Sequence, residues 1–495
     1  MITAKFFTLE TSNLKHKSIN GVAWNFVGKI STHIVTFIVS IFLARLLSRE
    51  DFGMVAMAMF FISVTQAFMD FGLTTALIQK KNPTEIQINT VFYLNMMLAV
   101  MLMLILIACS NLIGKFYDNA EVASIAKFIS YLFVIYAING VQRAMLTKEL
   151  KIKTLTIANL IGACVQGVSG IFMAFKGYGV WSLVYSNFFG SIITSIFLWY
   201  NSEWRPKLMF KLSEIKELFN FGYKMFFVKI LDSFYVKLDE LIIGKIFAAD
   251  ALGSYHRAKS FNNMVVSYTS DSLSGVFLPV ISHLQDDVAQ VKRVVEKSLE
   301  VVAFLVFGIT ALLYLNAESL IILLFGEKWL DSVGFFKVLA FVAYGFPVSV
   351  ILVNVLIGLG KSGAFLGLDI IKKIIGLGGM AIGFLWGIYG FLWANVIITA
   401  IGVTINMWFV GRFINFSVFE QWKILFKYLY SALIISLLVL FINKYLPHNL
   451  FILLAVDTIL FSVLYFLYNF IVKTNGFVYV KNIVTTKLNK NLLKK

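Results

Sequence analysis

With 495 residues, 59% of them hydrophobic and only 14% charged, the chain lies well outside the range of a water-soluble domain, which is about half apolar and a quarter charged. A formal net charge of +17 would suit nucleic acid in a soluble protein, but here the basic residues cluster in the breaks between apolar runs. The charge is therefore topological, with anionic lipid headgroups as a further neighbour, and no nucleic-acid partner is expected.

Apolar runs of about twenty residues recur along nearly the whole length, each long enough to cross a hydrocarbon core of about 30 Å as a helix. The sequence predicts an all-α polytopic membrane protein. Residues 1–19 carry Lys5, Lys15 and Lys17 but no short apolar core followed by a small-residue cleavage site. No cleaved signal is expected, and the first span serves as the insertion signal.

In chain order, spans are predicted at 20–44, 53–78, 88–113, 122–145, 154–175, 179–200, 217–247, 253–282, 294–316, 332–358, 364–386, 390–411, 423–442 and 449–472. That is about 14 transmembrane helices, with both termini on one side. Glu318 to Asp331 is too short to span and is expected as an interfacial excursion. Pro279 and Pro347 fall inside spans, where they remove backbone donors and favour static kinks.

Basic residues are retained on the cytoplasmic face. With the N-terminus inside, the cytoplasmic loops hold Lys80, Lys81, Lys148, Lys151, Lys153, Arg205, Lys207, Lys211, Lys292 and Arg293, among others, and the tail adds Lys481, Lys487, Lys490, Lys494 and Lys495. The opposite face holds only Arg45, Arg49, Lys115, Lys176, Lys328 and Lys444. Both termini are expected in the cytoplasm.

An internal repeat adds an architectural expectation. RLLSREDFGMVAMA from Arg45 recurs in outline as KIFAADALGSYHRA from Lys245, and KGYGVWSLV from Lys176 as GIYGFLWA from Gly387. Two matches in register predict duplicated six-span units: a cytoplasmic segment 1–19, an N-lobe 20–200, a linker 201–216, a C-lobe 217–411, accessory spans in 412–472 and a basic tail 473–495. Six is even, so the copies have the same orientation, related by an axis along the membrane normal.

Charges inside the spans are the candidate functional residues, because each is costly in lipid. Span 7 carries Lys224, Lys229, Asp232, Lys237, Asp239 and Glu240. Of these, Lys229, Asp232, Asp239 and Glu240 fall within a sector of roughly 100° and are expected to face the bundle interior. Lys229–Asp232 and Lys237–Glu240 are also spaced for pairing within the helix. Span 1 has a milder stripe of Asn25, Lys29, Thr32, His33, Thr36 and Ser40. Further intramembrane charges are Asp70, Asp271, Asp369, Lys372 and Lys373. Polar faces on the equivalent spans 1 and 7 suit an amphiphile whose headgroup crosses between the halves while its tail stays in lipid.

Several motifs carry no chemistry here. GLGKSG at Gly358–Gly363 satisfies G-x-G-x-x-G, but it joins two spans and Val355 stands where a phosphate loop needs glycine. Asp286 and Asp287 are adjacent rather than spaced as metal ligands, and the histidines are scattered. Cys109 and Cys164 lie in apolar runs without redox or zinc spacing. No metal, cofactor or enzymatic activity is expected, and no extramembrane domain is large enough for a glycosyltransferase.

The segments NGVAWNFVGK, LARLLSREDFGMVAMA, MDFGLTTALIQKK, KGYGVWSLV, SEWRPKL, DELIIGKIFAADALGSYHRA and FLPVISHLQDD, taken in order, resemble the polysaccharide-exporter (Wzx-like) branch of the MOP superfamily, related to multidrug-and-toxin extruders. The resemblance implies two six-helix lobes around a central cavity, alternating access, and an undecaprenyl-pyrophosphate-linked oligosaccharide as cargo for O-antigen, capsule or exopolysaccharide. It also implies proton or sodium coupling, a bacterial plasma-membrane location, and polysaccharide polymerase and export machinery as partners. By location, Lys29, Lys229 and Arg257 are its candidate substrate-binding residues; Asn25, His33, Asp70, Asp232, Asp239 and Glu240 are candidates for cavity lining or ion coupling. A cation-coupled drug extruder and a peptidoglycan-precursor flippase share the superfamily and stay open as alternatives.

Overall fold

The computed structural model describes residues 11–69, 72–447 and 449–492, and every regular element among them is helical. The chain divides into two compact units, residues 1–253 and residues 254–495. Among the described residues, ten helical segments are long and apolar enough to cross a bilayer. The other four expected spans fall on α2–α3, on the two arms of α9 and on α14, described below.

The first unit contains α1 (Thr11–Leu46), α2 (Arg49–Met69), α3 (Leu73–Gln79), α4 (Glu85–Tyr117), α5 (Ala120–Ile129), α6 (Leu132–Lys148), α7 (Ile152–Phe175), α8 (Trp181–Asn201) and the first arm of α9 (Lys216–His283). Polar residues set the helix starts, where four backbone N–H groups lack intrahelical acceptors. Thr84 and Gln87 form a reciprocal capping box on α4, and the Asn119 side chain accepts from the N–H groups of Glu121 and Val122 at the start of α5. Between α7 and α8 the backbones approach closely: a Cβ on Gly162 would stand 2.0 Å from Thr194 Oγ1, and one on Gly190 would stand 2.9 Å from the Gly162 carbonyl oxygen. Without a hydrophobic drive between helices in lipid, such small-residue contacts supply the packing. At the loop before α7, Lys151 pairs with Glu149 at 2.8 Å and Glu203 at 3.0 Å, and these carboxylates hold its ammonium above the ordinary lysine range.

The duplicated segment explains how α2 meets α9. In the first copy Ser48 accepts from the Asp51 N–H at 3.1 Å while Asp51 Oδ2 accepts from Ser48 N–H at 2.8 Å, so α1 ends and α2 begins cleanly. In the second copy Ala248, at the matching position, is a single non-helical residue (φ 65°, ψ 177°) inside an otherwise continuous helix. That conformation favours glycine and costs an alanine about 1–3 kcal/mol. Immediately beyond it, the two copies cross reciprocally. A Cβ on Gly53 would lie 1.8 Å from the Ala249 carbonyl oxygen, and a Cβ on Gly253 would lie 1.9 Å from the Arg49 carbonyl oxygen. Arg49 Nε also meets Asp250 at 3.0 Å.

The second unit contains the rest of α9, then α10 (Val288–Leu315), α11 (Ala317–Phe325), α12 (Leu330–Ala340), α13 (Gly345–Gly358), α14 (Ser362–Phe384), α15 (Gly387–Ile414), α16 (Val418–Asn443), α17 (Leu450–Ile471) and α18 (Asn475–Leu492). α10 is its centre: Val291, Val295, Leu299, Ala303 and Phe304 are buried in a core shared with α13, α15, α16 and α17. The excursion predicted at Glu318–Asp331 is α11 followed by a short turn, and its Ile321, Phe325 and Trp329 are buried rather than spread over a surface. The span predicted at 332–358 breaks between α12 and α13, which puts Pro347 in the first turn of α13, where its missing N–H would have had no helical acceptor.

Buried Glu300 of α10 ties the C-terminal segment down. It accepts from the Tyr428 hydroxyl of α16 and from Asn475 Nδ2 at 3.2 Å, while Gly476 N–H donates to the same Tyr428 oxygen at 2.8 Å. α18 is thus fixed to α10 by a closed polar network.

Two predictions follow the packing. Gly53→Ala or Gly253→Ala forces α2 and α9 apart and should lower stability by about 1–3 kcal/mol, whereas Gly378→Ala, which meets nothing within 4 Å in α14, should be neutral or mildly stabilising; melts followed by size-exclusion of detergent-solubilised protein would separate them. Glu300→Ala strands the Tyr428 and Asn475 donors at a cost of about 1–3 kcal/mol and should expose the α18 region to protease, with Glu300→Gln giving a smaller effect. Equal proteolysis of wild type and Glu300→Ala would contradict the assigned anchor.

Candidate functional site

The first unit forms an open pocket of about 500 Å³ lined mostly by polar residue types. Helical spacing brings its residues together. Tyr136, Asn139 and Arg143 recur at i, i+3 and i+7 on α6; Asn159 and Gln166 are seven apart on α7; Ser191 and Thr194 are three apart on α8. Thr32 and Thr36 of α1 and Gln66 of α2 complete the polar lining, with Gly162, Ala163 and Gly190 where the helix backbones come closest.

Arg143 is the one cationic residue in the described lining, and no carboxylate is there to neutralise it. Its Nη2 donates to Asn159 Oδ1 at 2.9 Å, an amide that orients the guanidinium without cancelling its charge. Neighbours hold other wall residues in place: Asn139 Oδ1 accepts from Ser195 at 2.9 Å, Gln166 Nε2 donates to Asn187 Oδ1 at 3.3 Å, and Thr194 Oγ1 donates to the Gly190 carbonyl at 2.9 Å. The result is a fixed positive site with donors and acceptors from five helices. It can bind and orient a polar ligand; among the described residues it holds no nucleophile–base pair and no group of metal ligands.

The candidate residues from the sequence distribute differently. Thr32 and Thr36 of the span 1 stripe line the cavity; Lys29, exposed, lies one turn before Thr32 on the same helix face, and His33 beside it is half-buried. In α9, Lys237 donates to both carboxylate oxygens of buried Glu240 at 2.9 Å, and Asp239, also buried, accepts from the Glu240 N–H at 2.8 Å. Asp232, in the same projected sector, is exposed. Arg257 belongs to the second unit, where it is buried with its guanidinium carbon 4.8 Å from the Phe325 ring centre and 4.9 Å from that of Trp329, a cation–π arrangement. In α14, Lys373 and Asp369 pair at 2.7 Å across one turn. Asp70 lies outside the described residues, as do the side chains of Asn25, Lys224, Lys229 and Asp271.

Arg143, Tyr136, Asn139, Asn159 and Gln166 were not among the sequence candidates. Their signal was present as a 3.6-residue polar periodicity in spans 4 and 5, masked because single amides and an arginine near a span end look like ordinary boundary residues.

Comparison with known proteins agrees with this architecture. Over 326 residues the chain is 26% identical to the lipopolysaccharide biosynthesis protein WzxC of Escherichia coli (strain K12), covering 64% of this chain and 65% of that protein. It is 23% identical over 326 residues to the teichuronic acid biosynthesis protein TuaB of Bacillus subtilis (strain 168), covering 66% and 68%. These matches span about two thirds of the relatives' own length. Its fold is similar to that of the lipid II flippase MurJ in an inward closed conformation, with a TM-score of 0.76 at 13% identity over 94% of this chain and 100% of that one. A multidrug resistance MATE family transporter of the MOP superfamily, in its inward-facing conformation, gives 0.63 at 13% identity over 77% and 95%. Residues 42–334, more than half of the chain, match the polysaccharide biosynthesis protein family, and this multi-pass membrane protein belongs to that family.

Proposed function

We propose that the protein is a flippase that carries a lipid-linked oligosaccharide precursor of a surface polysaccharide across a bacterial plasma membrane by alternating access. The observation that carries this reading is the polar, positively charged cavity inside a bundle of apolar helices. An arginine within a membrane-spanning helix is costly to leave facing lipid, and such residues are retained where they line a substrate path or pair within the bundle. Arg143 is oriented by an amide rather than a carboxylate, which favours the path.

The names of the relatives support the cargo class: WzxC and TuaB are called lipopolysaccharide and teichuronic acid biosynthesis proteins, and MurJ a lipid II flippase. The absence of an acidic residue from the described cavity wall speaks against extrusion of cationic drugs. Fourteen spans with both termini in the cytoplasm complete the proposal, because the basic residues crowd the loops on that side. Transport of this kind needs no enzymatic step on the cargo.

Deletion of the gene should hold the lipid-linked glycan in the cytoplasmic leaflet and abolish the surface polysaccharide, scored by glycan accessibility on each membrane face. Complementation with Arg143→Ala should restore less than about a tenth of the export, and Lys229→Ala and Asp232→Ala test the span 7 stripe in the same assay. Unchanged glycan on both faces in the deletion strain would defeat the flippase reading.

A further inference from the structure

A second pocket in the first unit, separate from the polar one, is an open apolar groove along the faces of α2 and α4. We propose that it binds an ethanolamine phospholipid of the surrounding bilayer, with one acyl chain lying in the groove and the zwitterionic headgroup seated on the Lys245–Asp118 ion pair at its rim. This site goes beyond the flippase reading and does not rest on it.

Helical spacing builds the groove. Phe61, Thr65 and Phe68 recur at i, i+4 and i+7 on α2, and Leu102, Cys109 and Phe116 at i, i+7 and i+14 on α4, with Leu241 of α9 beside them. The lining is almost wholly apolar around a volume of about 580 Å³. Such a space offers water no partners and is filled by hydrocarbon. From Leu102 to Phe116 the stripe rises about 21 Å at 1.5 Å per residue, more than one leaflet's share of a hydrocarbon core of about 30 Å and less than the whole. The acyl chain of a phospholipid, which occupies a single leaflet, fits that length; a polyprenyl chain long enough to span the bilayer overruns it.

The rim supplies the headgroup argument. Phe116 meets Phe61 edge-on with 6.4 Å between ring centres, and the Lys245 ammonium stands 5.4 Å from the centre of the Phe116 ring. Lys245 Nζ donates to Asp118 Oδ2 at 2.9 Å, and the Asp118 side chain is 82% exposed. A positive and a negative group thus stand side by side where the chain emerges. That arrangement is complementary to a phosphate and an ammonium carried on one headgroup: Lys245 reads the phosphate, and Asp118 accepts from the ammonium. An exposed pair of this kind contributes little stability of its own, so exchanging partners with a headgroup costs little. Choline has no N–H to donate to Asp118, and a headgroup of net negative charge meets repulsion from the carboxylate. Lys115 and Glu121, exposed in the adjoining turns, again carry one charge of each sign. The corner between α4 and α5 holds Asp118 in place, since the Asn119 N–H donates to the Gly114 carbonyl oxygen at 2.9 Å and the Asn119 side chain caps α5.

Native mass spectrometry of the delipidated full-length protein, titrated with phosphatidylethanolamine, phosphatidylcholine and phosphatidylglycerol of identical acyl chains, tests the headgroup. Phosphatidylethanolamine should bind about tenfold more tightly than either of the others, the difference expected of one charge-assisted hydrogen bond. Asp118→Asn, which puts a residue tolerant of left-handed backbone at a position with φ 55°, should erase the advantage over phosphatidylcholine, and Lys245→Gln should weaken all three lipids. Cys109 reads the groove itself: phosphatidylethanolamine should slow its alkylation by a maleimide and leave that of exposed Cys164 on α7 unchanged. Equal binding of the three lipids by wild type, a preference that survives Asp118→Asn, or equal slowing of both cysteines would each overturn the proposal. Displacement of bound phosphatidylethanolamine by equimolar polyprenyl phosphate would give the groove to a polyprenyl chain and overturn it as well. Where a variant does not fold, the lipid order and the Cys109 protection in wild type decide the matter.

Discussion

Hydrocarbon offers no hydrogen-bond partner, and a polar atom placed among these helices must be met by another part of the chain or by a ligand. The described polar residues sort themselves by how they meet that demand. Glu300 is met by Tyr428 and Asn475, Glu240 by Lys237, and Asp369 by Lys373. Arg257 is placed over two aromatic rings, where the π faces replace part of its hydration. Arg143 is met by a neutral amide and faces a cavity. Of these charges, it is the one that lines the cavity.

Backbone geometry follows from the same constraint. Since helix association in lipid depends on close contact, the glycines at 53 and 253 matter more than any apolar side chain near them. They occupy equivalent places in the two copies of the repeat, and each copy presses its glycine on the carbonyl four residues before the other's. The reciprocal geometry sets two similar segments against each other through the same surface. It also makes the crossing intolerant of a methyl group on either side, because carbonyl oxygens within helices cannot move away as a side chain can.

Much of this was legible in the residues. Apolar run length gave the helices, and the likeness of the segments from Arg45 and Lys245 gives Gly53 and Gly253 equivalent positions, but that each glycine meets the other segment's backbone is seen only in the structure. The near continuity of α9 was not legible. The first copy stops at Ser48, whose side chain caps a new helix; the second has Ala248–Ala249–Asp250–Ala251, good helix formers with no cap, and the helix runs on past one irregular residue. For the span 7 charges, angular periodicity was insufficient. Asp232 and Asp239 share a sector but stand about 10 Å apart along the helix axis, far enough for one to be exposed and the other buried. Thr32 and Thr36 were found as part of the polar stripe on α1, whereas Arg143, within a turn of a span end, was not singled out.

The two units differ in what they do with polarity. Within the second unit, Glu300, Tyr428 and Asn475 close a network that ties α18 to α10, and Arg257 is covered by Phe325 and Trp329. These arrangements consume polar capacity in holding helices together. Within the first unit the α6, α7 and α8 faces keep that capacity pointed at an open pocket, and glycines at 162 and 190 bring the helix backbones close enough to fix its wall. A binding wall must be rigid without being self-satisfied, two requirements that conflict in a bilayer because an unsatisfied group is expensive there. Here the conflict is eased by division of labour: Ser195 and Asn187, outside the lining, hold Asn139 and Gln166 in place, while Asn159 orients Arg143 from within the wall and leaves its charge for what enters.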